Sequence, residues 1–242
     1  MKKPRVAIFD FAGCEGCQLQ IVNLEEELLS LIEIVDVVEW REGMSEKNPK
    51  FDIALIEGSI TRPEDEERLR DIRARAKVLV TIGACAGMGG VNKLRNHMDQ
   101  KVVGRTVYGA DADKSFLQVG TVRAIDEVVP VDLQIPGCPI DGREFTRVVR
   151  TLVLGGEPHL PEHPVCVECK RANNVCRYEY GEVCLGPITR AGCGARCPSF
   201  GMWCFGCRGK VTDPNVDAAH TVMASYGKTV EELEQRLALF GS

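Results

Sequence analysis

Twelve cysteines in 242 residues fall into two patterns. Four lie far apart, at Cys14, Cys17, Cys85 and Cys138. Eight crowd between Cys166 and Cys207 as C-x2-C-x6-C-x7-C-x8-C-x3-C-x6-C-x2-C. Four thiolates are the ligand set of one zinc ion or one 4Fe–4S cluster, and twelve make three such sets. The chain reads as a scaffold for three metal centres. Its fold must therefore bring together thiols as far apart in sequence as Cys14 and Cys138.

Hydrophobic residues make up 44% of the chain, enough for a real core, and the formal net charge is −5. No basic surplus points to nucleic acid or to an anionic membrane. The first residues, Met1-Lys-Lys-Pro-Arg, lead straight into an apolar run, without the features of a secretory or twin-arginine signal. No run approaches the length of a membrane span. The expected compartment is the cytoplasm, where a cysteine-dense chain points to metal binding or catalysis ahead of disulfides.

Residues 5–155 alternate strand and helix signals. Strands are expected at Arg5–Ala12, Ile34–Trp40, Asp52–Gly58, Lys77–Gly83 and Val128–Ile135. Helices are expected at Gln18–Ile32, Glu64–Ala76 and Asp141–Leu154, the last with Asp141 as N-cap. Such alternation predicts an α/β fold, a parallel sheet with helices on both faces. Residues 88–125, rich in Gly, Asn and Asp, read as an insertion. After Gly155-Gly156, Pro158, Pro161 and Pro164 form a stiff linker. The segment 165–210 holds eight cysteines but few core-forming residues, and is expected to fold around its metals. A final helix over 229–240 should dock through Leu233, Leu237 and Phe240. The division is therefore a first domain over 1–156 and a small irregular cysteine-rich domain over 157–242.

Each of the four scattered cysteines sits just after an expected strand, beside glycine: Gly13-Cys-Glu-Gly-Cys17, Gly83-Ala-Cys-Ala-Gly87 and Pro136-Gly-Cys-Pro139. Loops that follow parallel strands share one edge of the sheet, so these thiols can converge. Adjacent glycines let backbone amides reach cluster sulfides. Buried, inert thiols are the blander reading of any one of them. In the tail, a structural zinc module is the competing reading. Only Cys166/Cys169 and Cys204/Cys207 form zinc-type C-x2-C knuckles, and the other spacings look more like cluster ligation. His97, His159, His163 and His220 have no acidic partner in a motif, and no catalytic nucleophile–base pair is visible. Neither a G-x-G-x-x-G nor a phosphate-binding G-x-x-x-x-G-K-[ST] loop appears.

The three strand-end motifs resemble the proximal-cluster motifs of the small subunits of nickel–iron hydrogenases. The likeness extends over almost the whole chain. It implies a flavodoxin-like first domain followed by a small irregular iron–sulfur domain. It also implies a proximal 4Fe–4S cluster on Cys14, Cys17, Cys85 and Cys138, facing the nickel–iron site of a large subunit. Matched in order, Cys166, Cys169, Cys176 and Cys184 take the distal positions, with Cys166 replacing the family's usual histidine. Cys193, Cys197, Cys204 and Cys207 take the medial positions. The extra thiol there implies a full 4Fe–4S cluster where exported relatives have a three-cysteine 3Fe–4S site.

Thr189-Arg-Ala-Gly-Cys-Gly-Ala-Arg-Cys-Pro198 and Cys204-Phe-Gly-Cys-Arg-Gly209 are most similar to the delta-type small subunits of cytoplasmic, NAD(P)-linked sulfhydrogenases. That likeness implies three 4Fe–4S clusters. It also implies a nickel–iron large subunit, a flavin subunit that binds NAD(P), and an additional iron–sulfur subunit as partners. The small subunit of methyl-viologen-reducing hydrogenases, which feed heterodisulfide reductase, is the alternative. The related complex I subunit has adjacent cysteines in the first motif and no eight-cysteine tail. Glu15, between two ligands, and Glu57, at a strand end, are candidates for tuning the cluster or meeting a partner. No bond-breaking chemistry is expected of this chain itself.

Overall fold

The computed structural model describes residues 3–117 and 119–240. Five strands form one parallel sheet in the order β2-β1-β3-β4-β5. They are β1 Arg5–Asp10, β2 Asp36–Trp40, β3 Ile53–Glu57, β4 Val78–Ile82 and β5 Leu133–Ile135. This is the doubly wound order, whose ligand crevice opens at the carboxyl ends of the strands, where the connections diverge from β1 and β3.

Alternation along the strands splits the core between two faces. Val6, Ile8, Leu55, Val80, Ile82 and Ile135 pack on one side. They meet Ile21 of α1 (Gly16–Val22), Leu31 of α2 (Glu26–Ile32), and Phe145, Val148 and Val149 of the later helix over Gly142–Val153. Ala7, Phe9, Ala54, Ile56 and Leu79 pack on the other side, against Leu69 and Ile72 of α3 (Pro63–Arg75) and Ala86 of α4 (Gly83–Met88).

The remaining helices are α5 Gln100–Tyr108, α6 Gly142–Val153, α7 Val165–Arg171, α8 Arg196–Ser199, α9 Val216–Ser225 and α10 Val230–Leu237. Asp141 caps α6, its carboxylate accepting the Glu144 N–H at 3.0 Å. Among the described residues no helix is long and apolar enough to cross a membrane.

Several expectations need correction. The helix over 18–32 is two helices, broken at Asn23–Glu25, where Glu25 has φ 52°. The fifth strand is only Leu133–Ile135, because Val128 and Val129 turn back to bond Ile125 O. The insertion over 88–125 carries α5 and a 3₁₀ segment over Gly90–His97. The tail also has a core of its own. Val165, Tyr178, Val183, Leu185 and Ile188 pack with Ala219 and Met223 of α9 and Leu233 of α10. The final helix ends at Leu237 and continues as a 3₁₀ turn over Ala238–Phe240, which docks on the 90–97 segment of this same chain.

Candidate metal centres

The strand-end cysteines converge as their positions after parallel strands require. Cys14 lies in the loop after β1 and Cys17 in the first turn of α1. Cys85 is in the first turn of α4, which continues β4 without a loop, and Cys138 follows β5. The Ala84 N–H donates to Gly137 O at 2.7 Å and joins the start of α4 to the loop after β5. Glu57, buried at the end of β3, accepts the Cys17 N–H at 2.9 Å and the Gln18 N–H at 3.3 Å. Cys14 and Cys138 are exposed, whereas Cys17 is buried.

Gly83 has φ +86°, and a Cβ there would collide with Cys17 Sγ. Only glycine satisfies both constraints. A Cβ on Gly90 would come within 2.8 Å of Cys85 Sγ. Burial pushes the Cys85 thiol up to about 12, and Cys138 and Cys14 add to the shift. Cys17 and Cys138 are also raised, by burial first and the Glu57 carboxylate among the further causes. Glu15 has φ 60°. Burial, then Glu57 and Asp10, lift its carboxyl to about 7 against the pull of Arg41.

In the tail, α7 places Cys166 and Cys169 one turn apart on the same face. They line one small cavity with Cys176 and Cys184, walled by Val165, Tyr178 and two prolines. A Cβ on Gly186 would stand 3.3 Å from Cys166 Sγ and 3.5 Å from Cys184 Sγ. Burial pushes the Cys166 thiol up to about 12, and the charges of Cys184, Cys169 and Cys176 raise it further.

Cys207 answers to a different set: burial, then Cys193 and Cys197, leave its thiol raised to about 11. Cys204 is raised chiefly by burial, with Cys184 and Cys207 raising it further. The sets also touch. The Cys204 N–H donates to Cys184 Sγ at 3.2 Å.

Gathered thiols such as Cys85 and Cys166, raised by burial and by their neighbours, resist ionising together without a compensating cation, which a metal centre supplies. A single zinc ion would draw its four sulfurs to within about 3.8 Å of each other. Among the described residues, no three His, Cys, Asp or Glu side chains close in on one point in the manner of single-ion ligands. The thiols around the Cys166 cavity instead line the walls of a shared space. Thiol-only donors, apolar walls, glycine-cleared floors and amides aimed at sulfur fit an iron–sulfur cluster.

The cysteine motifs alone single out none of three polar residues at these sites. Arg208 and Glu144 form a buried ion pair at 2.8 Å, across 64 positions of sequence. Glu168 accepts the Gly192 N–H at 2.9 Å and the Ala195 N–H at 3.1 Å, and so anchors the loop of Cys193. Its place between Cys166 and Cys169 was the available signal.

The family model described as NADH ubiquinone oxidoreductase, 20 kDa subunit, matches residues 14–152. The delta subunit of sulfhydrogenase 2 from Pyrococcus furiosus is 35% identical over 98% of both chains. One subunit of the F420-non-reducing hydrogenase of Methanocaldococcus jannaschii is 31% identical over 97% of this chain and 92% of its own. Among solved structures, a chain of an NAD+-reducing [NiFe]-hydrogenase superposes with TM-score 0.61 and 33% identity. It covers 66% of this chain and 96% of its own length. With its strand-end cysteines, its doubly wound sheet and these full-length relatives, the chain belongs to this family, as a small subunit of nickel–iron hydrogenases.

Proposed function

We propose that this chain relays single electrons between a nickel–iron large subunit and a flavin subunit that reduces NAD(P), using three 4Fe–4S clusters. The observation that carries the reading is the series of three four-thiol sets, joined by the Cys204 N–H donated to Cys184 Sγ and by Arg208, directly after Cys207, donating to Pro136 O two residues before Cys138. Bound clusters supply one-electron storage, with potentials set by hydrogen bonds, charge and burial. The residues set the order. Cys14, Cys17, Cys85 and Cys138 hold the proximal cluster, whose exposed thiols Cys14 and Cys138 turn outward. Leu19 and Val22 lie exposed beside them on α1, an apolar surface suited to a large subunit. Cys193, Cys197, Cys204 and Cys207 hold the medial cluster, and Cys166, Cys169, Cys176 and Cys184 the distal one. Residues 1–156 and 157–242 act as the two domains. An additional iron–sulfur subunit beyond the distal site and a cytoplasmic location complete the proposal.

The NAD-reducing structure accounts for two thirds of this chain, whereas the sulfhydrogenase subunit matches it end to end. That difference favours the sulfhydrogenase arrangement. The end-to-end match to F420-non-reducing subunits keeps the heterodisulfide-linked reading as the alternative.

Protein purified without oxygen should contain about twelve irons and twelve sulfides per chain and copurify with a nickel-bearing subunit. Three zinc ions and no sulfide would instead establish a zinc-stabilised binding module.

A further inference from the structure

We propose that the buried Arg208–Glu144 pair is a clamp that fixes the distance between the proximal and medial ligand sets, and through that distance the rate at which electrons pass between them. The inference rests on reading both sets as cluster ligands. Arg208 and Glu144 are 3% and 5% exposed. Every guanidinium nitrogen is engaged. Nε donates to Ala191 O at 2.9 Å, Nη1 to Pro136 O at 2.8 Å, and Nη2 to both Glu144 carboxylate oxygens at 2.9 and 2.8 Å.

These partners are the flanks of the two sets. Pro136 lies two residues before Cys138, Ala191 two before Cys193, and Arg208 directly after Cys207. Glu144 stands in the first turn of α6, whose Phe145 and Val148 are rooted in the sheet core. One rigid fork therefore ties both ligand loops to one helix.

A buried ion pair is a poor device for stability alone, because apolar residues of similar volume usually hold such a contact as well or better. Its particular contribution is fixed geometry, which a planar fork supplies and a flexible ammonium does not. Gly192 gives independent support. It has φ +119°, and a Cβ there would stand 2.6 Å from Glu144 Oε1 and 2.9 Å from Arg208 Cζ. The loop is cleared to admit the clamp. In the transfer itself one electron leaves the proximal site as one arrives at the medial site, and no bond is made or broken. The rate then depends on separation and on the two potentials.

The test uses the complete complex with Arg208→Lys, Arg208→Gln and Gly192→Ala. Iron content, the spin–spin splitting between reduced proximal and medial clusters, and the rate at which the tail clusters fill after hydrogen is added are measured. All three variants should keep their iron and lose or alter the splitting. Filling should slow about 10- to 100-fold, the range seen when the supporting shell of a metal centre is cut. Hydrogen–deuterium exchange at the large subunit should be unchanged. Gly192→Ala leaves the charges intact, so its agreement with Arg208→Gln assigns the effect to geometry. If Arg208→Gln does not fold, Arg208→Lys, which keeps the charge, carries the comparison. Wild-type splitting and filling rate in variants with full iron would overturn the clamp, as would selective loss of medial iron in Arg208→Lys. Absence of iron from the wild-type protein would instead overturn the proposed function.

Discussion

At the scale of single residues, Cys197 tests the division of the tail most sharply. It opens α8 with Arg196, and burial together with the neighbouring Cys193 raises its thiol. Cys207 in turn responds to both Cys193 and Cys197. The charges that reach Cys166 come from Cys184, Cys169 and Cys176 instead. Replacing Cys197 by serine should therefore change only one electron paramagnetic resonance signal, that of the medial cluster, as one iron loses its thiolate. The distal signal should keep its shape and potential. A change in the distal signal with the medial one intact would reverse the assignment. The spacing of the cysteines suggests their grouping, because thiols eight or fewer positions apart have little freedom to separate. It held no trace of Arg208 and Glu144, whose meeting depends on how the tail lies against α6.

At the scale of elements, the sheet was legible and its edges were not. β1, β3 and β4 are apolar enough to declare themselves, since both faces of a parallel sheet are covered. β5 was read too long because Val128, Val129 and Val131 look like strand, yet the first two belong to a turn closed on Ile125. The helix over 18–32 kept its periodicity across a break that only the backbone at Glu25 reveals. The tail core was missed because its apolar residues are too few until α9 and α10 are added from downstream. The strand starts carry one ionic tie. Asp52 accepts from the backbone and side chain of Arg5 at 3.0 and 3.2 Å, and Lys77 lies 3.0 Å away. It thereby joins the first residues of β1 and β3 to the lead into β4.

The hydrogen bonds from Arg5, then Lys77, hold the Asp52 carboxyl well below the usual carboxylate range. The unfolded chain titrates near 3.9, so the folded state binds the proton more weakly. The tie therefore contributes stability above about pH 4 and loses it as pH falls through the unfolded value toward the folded one. Asp52→Asn should unfold more easily than the parent in urea at pH 7. The gap between the two should shrink progressively below pH 4. A gap that stays constant across that range would show that the carboxylate charge is not what holds the strand starts.

At the scale of the whole molecule, the two parts of the chain depend on metal to different degrees. The sheet core on both faces is built of aliphatic and aromatic side chains from strands and helices, with Cys17 the lone cluster thiol in it. The tail core includes Cys184 and Cys204 among its buried members, with Cys169, Cys176 and Cys193 packed against it. Removing clusters from the tail would leave thiols there with raised pKa values, so they would stay protonated. It would also leave the apolar cavity of the Cys166 set empty. Metal binding and folding are coupled where ligands make up this much of the core. The apolar contacts of α3 and α6 with the sheet persist without any metal.

Anaerobic removal of iron should therefore leave amide protons of β1, β3, β4 and α3 slow to exchange. Those of residues 165–210 should exchange at rates close to those of an open chain. The loops of Cys14 and Cys138 and the first turn of α4 around Cys85 should loosen without unravelling the strands that lead into them. Near-identical protection of the tail with and without iron would show that α9 and α10 suffice to fold it. Simultaneous loss of protection in the sheet would show that the two parts form one cooperative unit, with the Arg208–Glu144 tie strong enough to couple them.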